Sequence, residues 1–325
     1  MYSYARDACP MPKPEEVVIL NFAVALKDSS DWNNQQVHPN ENPMPPGQGA
    51  AGIILYIGEN VTGFREGQRV LAQCPNRNQP GAPSHQFTVV SEKMVSAIPD
   101  RLSFEQAATL PLAVALAAAG LYQKNHLGIS LPYTPPSPTS RTILVLDGAS
   151  DVGAMVVQLA SASGMDVIAT ASKRNFNIVR SFGASIVMDH DSLAQGVLAT
   201  ALDDLPLAGI FDTISTPQSL ASIDTLLAIM EQSPRVCTLK PPAQRPSHFA
   251  PSIVVSTTIN RNPHTFVRTA IWEEFLPLAL KSRLLRPKPM QTVIKAHWND
   301  LGTALAAVKA LPRKSSDGTV VISFV

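Results

Sequence analysis

Residues 142–172 read TILVLDGASDVGAMVVQLASASGMDVIATAS. The apolar run Thr142–Leu146 predicts a buried strand. A turn of small residues follows, Gly148-Ala149-Ser150-Asp151-Val152-Gly153, and then apolar residues recur at helical spacing over Ala154–Ser163. A second strand is predicted over Asp166–Ala171. Strand, tight turn, helix and strand make a βαβ unit, with the turn at the helix N-terminus. There the backbone N–H groups and the helix dipole favour an anion such as a dinucleotide diphosphate. The stretch therefore predicts a nicotinamide cofactor and makes hydride chemistry the leading expectation.

Upstream, residues 1 to about 104 read as β-rich. Val17–Leu20, Gly52–Ile57, Arg69–Ala72 and Phe87–Val90 are short strand-like runs punctuated by Gly, Pro and Asn. A long helical pattern begins at Ser103. Downstream of the βαβ unit, strands are predicted at Ile186–Met188, Gly209–Phe211 and Val236–Leu239, and helices at Leu193–Leu202 and Gln218–Met230. Such alternation implies a doubly wound parallel sheet, an α/β fold. The Pro-rich segments Leu131–Ser140 and Lys240–Pro251 are loops. Helices Trp272–Leu285 and Trp298–Leu311 and a strand Thr319–Phe324 close the chain. Ile253–Thr257 is a candidate edge strand for a homodimer, with a monomer as the alternative.

At 325 residues the chain is long enough for two domains. Net charge is +1, and no cluster of Lys and Arg interleaved with aromatics stands out, so no nucleic-acid partner is expected. Cys9, Cys74 and Cys237 are widely separated and form no CxxC, which fits a reducing, cytoplasmic compartment. The first residues, MYSYARDACPMPKP, contain no apolar core of a signal peptide. The longest apolar stretch, Ala107–Leu121, is interrupted by Pro111 and is shorter than the roughly 20 residues a bilayer requires. It is expected to be a buried helix, and no membrane partner is expected.

Several segments resemble the medium-chain dehydrogenase/reductase superfamily in its zinc-independent quinone oxidoreductase and enoyl reductase branch. Residues 52–70, GIILYIGENVTGFREGQRV, resemble that family's AGxVxxVGxxVxxFxxGDRV segment, and 98–111, IPDRLSFEQAATLP, its entry into the cofactor domain. Gly120–Lys124, Ala171–Phe176 and Trp272–Pro277 resemble the fungal ToxD-like members, near the trans-acting enoyl reductases of polyketide pathways. The resemblance spans nearly the whole chain; the family's first strand is expected to be absent. It implies a GroES-like β-rich substrate domain, 1–104 with 272–325, joined to a Rossmann NADP(H)-binding domain, 105–271.

A catalytic zinc in this superfamily needs a Cys and a Gly-His-Glu, because an open site takes three such ligands plus water. Gly47-Gln48-Gly49 stands at the Gly-His-Glu position, and Lys27–Trp32, where the Cys would fall, contains none. The four-cysteine structural lobe is missing as well, and the seven histidines show no paired ligand spacing. No metal is expected.

Against G-x-G-x-x-G, the chain keeps Gly148 and Gly153 and has Ser150 in the middle place, small enough for close approach and able to donate a hydrogen bond. Asp151 and Val152 lie between, and a carboxylate at 151 repels a diphosphate unless it points to solvent. The position matching the ribose-binding acid of NAD sites is Ser172, 24 residues on (172 − 148), followed by Lys173 and Arg174. A hydroxyl and two cations suit a 2′-phosphate, so the expected cofactor is NADP(H). The resemblance places His190 near the adenine, and Ser215 and Leu239 near the cofactor backbone and nicotinamide.

The resemblance implies reduction of an activated C=C bond, an enone or enoyl thioester, or of a quinone, in fungal secondary metabolism. The substrate would be a small molecule, a polyketide-derived intermediate among the candidates. Where relatives carry a cleft Lys this chain has Asn33, and where they carry Thr near the nicotinamide it has Leu116. No catalytic acid is named; Tyr122 and Lys124 read as helix-surface residues. Two other classes stay open. One is a former reductase that binds or shapes its substrate without redox chemistry. The other is a trans-acting enoyl reductase partnering a polyketide synthase.

Overall fold

The computed structural model describes residues 9–26, 47–73, 86–191, 197–202, 205–230, 232–289, 292–310 and 319–324. The chain divides into two compact units: Met1–Leu112 with Trp272–Ser282 and Pro289–Val325, and Ala113–Ile271 with Arg283–Lys288. The division falls inside the long helical stretch, where residues 104 and 105 had been expected to part.

In the first unit, β1 (Glu16–Leu26) is central. It pairs antiparallel with β2 (Gly47–Ile57) along its length, with β4 (Phe87–Ser91) on its first half and with β13 (Val320–Phe324) on its second. The seven-stranded sheet runs β12 (Thr292–Ala296), β13, β1, β2, β3 (Arg69–Gln73) and β5 (Val95–Ala97), with β4 on β1. Val17, Val18, Ile19, Ala23 and Val24 are fully or almost fully buried, so this strand forms the core of the unit. Ser103 opens the helical stretch with a reciprocal cap: its hydroxyl accepts from Gln106 N, and Gln106 Oε1 accepts from Ser103 N.

The second unit is a six-stranded sheet, parallel throughout, in the order β11 (Ser252–Ile253), β10 (Val236–Thr238), β9 (Leu207–Asp212), β6 (Thr142–Leu146), β7 (Asp166–Ala171) and β8 (Ile186–Asp189). Counted within the unit, that is 6-5-4-1-2-3, the dinucleotide-binding Rossmann order. Every residue of β6 and β9 is buried, as expected for a sheet covered on both faces. Leu144, Leu146, Ile210, Ile223, Leu226 and Val236 pack into one core beneath it. The chain leaves β6 toward β8, then returns to β9 on the other side. The strand ends therefore part between β6 and β9, which is where open α/β sheets bind ligands.

Several expectations needed revision. Tyr122 is buried, not a helix-surface residue: the helix Leu110–Tyr122 is apolar on every face and so is enclosed. The helical run Phe104–Tyr122 is long and apolar enough to cross a bilayer by composition, but it is mostly buried, as a core helix is. Strands β5 and β12 had no sequence signal. The predicted edge strand Ile253–Thr257 shortens to β11, because the chain turns into a tight helix over Ser256–Asn260. The helix predicted from Trp272 starts as wide turns over Thr269–Phe275 and narrows to an α-helix at Leu276–Ser282. The change comes next to Pro277, which has no N–H for an i−4 carbonyl.

Candidate functional site

The turn after β6 is held from three sides. Asp147 takes a left-handed φ of +57° and reverses the chain. Its N–H donates to Thr170 Oγ1 (3.1 Å), and Gly148 N donates to Thr170 O (2.9 Å), which ties the turn to the end of β7. From β9, Thr213 Oγ1 donates to Leu146 O (2.7 Å) and lies 2.9 Å from Ser150 Oγ. The glycines are there for space. A Cβ on Gly153 would stand 2.0 Å from Asp147 O, and one on Gly148 would stand 3.0 Å from both Ala169 and Val179 side-chain carbons. Together they let the helix Asp151–Ala162 start directly against the strand end.

Ser150 caps that helix. Its hydroxyl accepts from Gly153 N (3.0 Å) and lies 2.9 Å from Asp147 O. The hydroxyl expected to donate to a diphosphate is thus engaged within the turn. What the turn offers an anion is backbone: the N–H groups of Asp151 and Val152, first-turn donors with no intrahelical acceptor. Asp151 sits beside them with its Oδ1 3.8 Å from Nζ of Lys288, which comes from far along the chain.

The second anion-facing group lies one strand over, after β7. Asn175 Nδ2 donates to Ser172 Oγ (3.2 Å), and Lys173 and Arg174 are exposed. Lys173 Nζ approaches Asp189 Oδ2 only to 4.0 Å, with 84% of its side chain exposed. An ion pair so exposed is worth little, so the ammonium is available to another anion. His190, just past β8, is half-buried, and its Nδ1 has no hydrogen-bond partner among the described residues.

The third element ends β9. Asp212 is fully buried: its Oδ1 accepts from Ile214 N (2.9 Å) and Ser215 N (3.0 Å), and its Oδ2 from Ser219 Oγ (2.8 Å). Burial pushes its carboxyl above the usual range, against the pull of those donors. Burial, with the charge of Asp212, likewise holds the Cys237 thiol up. Ser215, at φ +53°, accepts from Leu239 N (2.9 Å) and so joins the ends of β9 and β10. Sequence reasoning missed Asp212, Thr213, Thr170 and Lys288. The first three sit at the carboxyl ends of strands already predicted, and that position was the available signal.

Leu116 is buried in its helix. Tyr122 Oη lies 3.2 Å from Leu159 O and 3.1 Å from Ser163 Oγ, and burial raises its pKa, which ties it to the core. Asn33 and the Lys27–Trp32 segment lie outside the described residues. Gly49 lies in β2, where a Cβ would stand 2.2 Å from Ala108 O, so the backbone has no room there for a glutamate. Among the described residues no group of three or more His, Cys, Asp or Glu could hold a metal ion.

A Rossmann-order sheet with a glycine-bearing turn and helix N-terminus at its switch point, in a chain that also carries a β-rich unit, defines the class of two-unit nicotinamide-dependent oxidoreductases. Residues 13–100 match the alcohol dehydrogenase GroES-like domain. The chain is 32% identical to the trans-enoyl reductase himH of Aspergillus japonicus over 85% of this chain and 81% of that protein. It is 30% identical to the zinc-binding alcohol dehydrogenase domain-containing protein cipB of Emericella nidulans over 96% and 90% respectively. The fold is similar to that of the CurK enoyl reductase, with a TM-score of 0.70, 20% identity and coverage of 98% and 94%. The chain belongs to the medium-chain dehydrogenase/reductase superfamily, whose members bind nicotinamide dinucleotides.

Proposed function

We propose that the chain is an NADPH-dependent, zinc-independent reductase of an activated C=C bond, enoyl or enone, or of a quinone, acting in fungal secondary metabolism. The observation that carries the NADPH preference is the end of β7: Ser172 followed by exposed Lys173 and Arg174, with no carboxylate of its own to receive a ribose 2′-hydroxyl. Guanidinium and ammonium groups suit a 2′-phosphate. The turn after β6 would hold the diphosphate by backbone N–H groups, with Gly148 and Gly153 allowing close approach. His190 would flank the adenine, and Ser215 and Leu239 would lie toward the nicotinamide. When bound, the reduced nicotinamide supplies a hydride to the acceptor carbon. The chain's own part is to fix the dinucleotide. Ser150, Thr213 and Thr170 make its turn rigid, and Asp212 fixes the backbone that carries Ser215. The similarity to a trans-enoyl reductase supports an enoyl acceptor; the substrate we propose is a polyketide-derived intermediate presented by a partner synthase. A cytosolic location accords with cofactor supply. Ile253 and Val255, exposed at the sheet edge, support pairing of two copies.

The test is titration of the purified chain with NADPH and NADH by nicotinamide fluorescence, followed by addition of an enone, an enoyl thioester and a quinone. Tighter binding of NADPH with turnover is the expected result. Absence of binding to both dinucleotides overturns the reading. Binding without turnover of any acceptor supports the second reading, a former reductase that binds its substrate without redox chemistry. The aliphatic Leu116 favours that reading.

A further inference from the structure

Between Ser282 and Pro289 the chain contributes a short strap to the second unit, fastened along one helix. Gln158, in the middle of the helix Asp151–Ala162 and 4% exposed, donates through Nε2 to Arg286 O (3.0 Å) and accepts through Oε1 from Arg286 N (2.9 Å). A side-chain amide thus pairs with a peptide group as a neighbouring strand would. The Arg286 guanidinium donates to Ser181 O and lies 5.6 Å from the centre of the Phe182 ring. With Arg286 held, Lys288 is delivered to the first turn of the same helix, its side chain 15% exposed and its Nζ 3.8 Å from Asp151 Oδ1.

The pairing is a poor stability device. Partly exposed ion pairs contribute little once side-chain freedom is lost. Asp151 already complements the helix dipole without help. When a second anion arrives, the ammonium lowers its repulsion with the Asp151 carboxylate. We infer that Lys288 is the positioning residue for the dinucleotide diphosphate: it offsets the Asp151 charge so that the helix N-terminus can accept a phosphate group. The inference rests on the dinucleotide reading above. It also gives the acid at position 151 a place in a binding site instead of marking a lost one.

The test compares the full chain with Asp151→Asn, Lys288→Met, Lys288→Arg and the Asp151→Asn/Lys288→Met double variant. Dissociation constants for NADPH and NADH are read by nicotinamide fluorescence at low salt, and Tm is read without ligand. Screened charges at this range predict opposite signs of about tenfold each: Lys288→Met weakens binding and Asp151→Asn tightens it. The double variant is expected to return near the unmodified chain, and Lys288→Arg to stay near it. Both dinucleotides shift by the same factor, because both carry the diphosphate. Equal signs, no change, or a shift confined to NADPH overturns the inference and leaves the dinucleotide reading intact. A fall in Tm without a change in affinity makes the strap a structural staple and also overturns it. An unmodified chain that ignores both dinucleotides overturns the inference together with the reading beneath it.

Discussion

The turns after β6 and β7 lie on neighbouring strands and are built on opposite plans. In the first, Asp147, Ser150, Thr170 and Thr213 are joined by hydrogen bonds of 2.9 to 3.3 Å around Gly153, which admits no side chain, and the crowded Gly148. In the second, Asn175 Nδ2 donates to Ser172 Oγ, Lys173 reaches Asp189 only at 4.0 Å, and the side chains of Lys173 and Arg174 are exposed. The contrast separates two tasks. Holding a group common to all dinucleotides needs backbone donors at fixed positions, and rigidity supplies them. Choosing between a hydroxyl and a phosphate needs only charge, which long flexible side chains deliver without an ordered frame.

The sharpest way to break the comparison is Gly153→Ala. Its Cβ would meet Asp147 O at 2.0 Å. We expect a loss of about 3 kcal/mol, visible as a fall of about 10 °C in Tm, whereas Ser172→Ala in the second turn should leave Tm unchanged. Next comes the paired change Lys173→Ala/Arg174→Ala. It should raise the dissociation constant for NADPH by about 30-fold, or about 2 kcal/mol, leave that for NADH within about twofold, and not move Tm. A parallel loss for NADH would mean that the two turns share one task. Third, Ser150→Ala removes a helix cap and should cost about 1 kcal/mol in a denaturant titration.

The smallest effect concerns pH. Burial raises the folded-state pKa of Asp212 above its ordinary value, so between the two values the folded state binds the proton more than the unfolded state does. Its contribution is therefore most favourable in acid and declines as pH rises above about 3.9 toward the raised value. This is the reverse of a paired surface carboxylate. Thermal melts of the wild type and Asp212→Asn from pH 4 to 7 should show the wild type losing ground to the variant as pH rises. A flat difference would mean that the hydrogen bonds from Ile214, Ser215 and Ser219 cancel the burial.

The second unit was legible in sequence because parallel strands covered on both faces read as unbroken apolar runs, as in Thr142–Leu146 and Gly209–Phe211. The glycine spacing located its turn for the same reason that makes those glycines necessary. β5 and β12 were not legible. Val95–Ala97 is three residues long and finds its place only against β3, and Thr292–Ala296 follows a Pro-rich strap and pairs with a strand far along the chain. Tyr122 was misjudged because one hydroxyl on an apolar helix says nothing of whether an acceptor such as Leu159 O waits inside. Within the site, the type and order of Ser172, Lys173 and Arg174 were readable, but the contact of the Ser150 hydroxyl with Thr213, beyond another strand, was not. The encounter of Lys288 with Asp151 is tertiary throughout and left no mark on spacing or composition.

The strap also bears on how this polypeptide is made and cut. Residues 283–288 complete the second unit, yet they are translated after the eleven residues Trp272–Ser282, which belong to the other. A nascent chain released at Ile271 would lack the Arg286 peptide that the Gln158 amide clasps, and would keep only its bond to Ala154 O. Excision of the nucleotide-type unit as one contiguous fragment therefore forfeits its last fastening, and on the ribosome that unit is finished only after most of the message has been read.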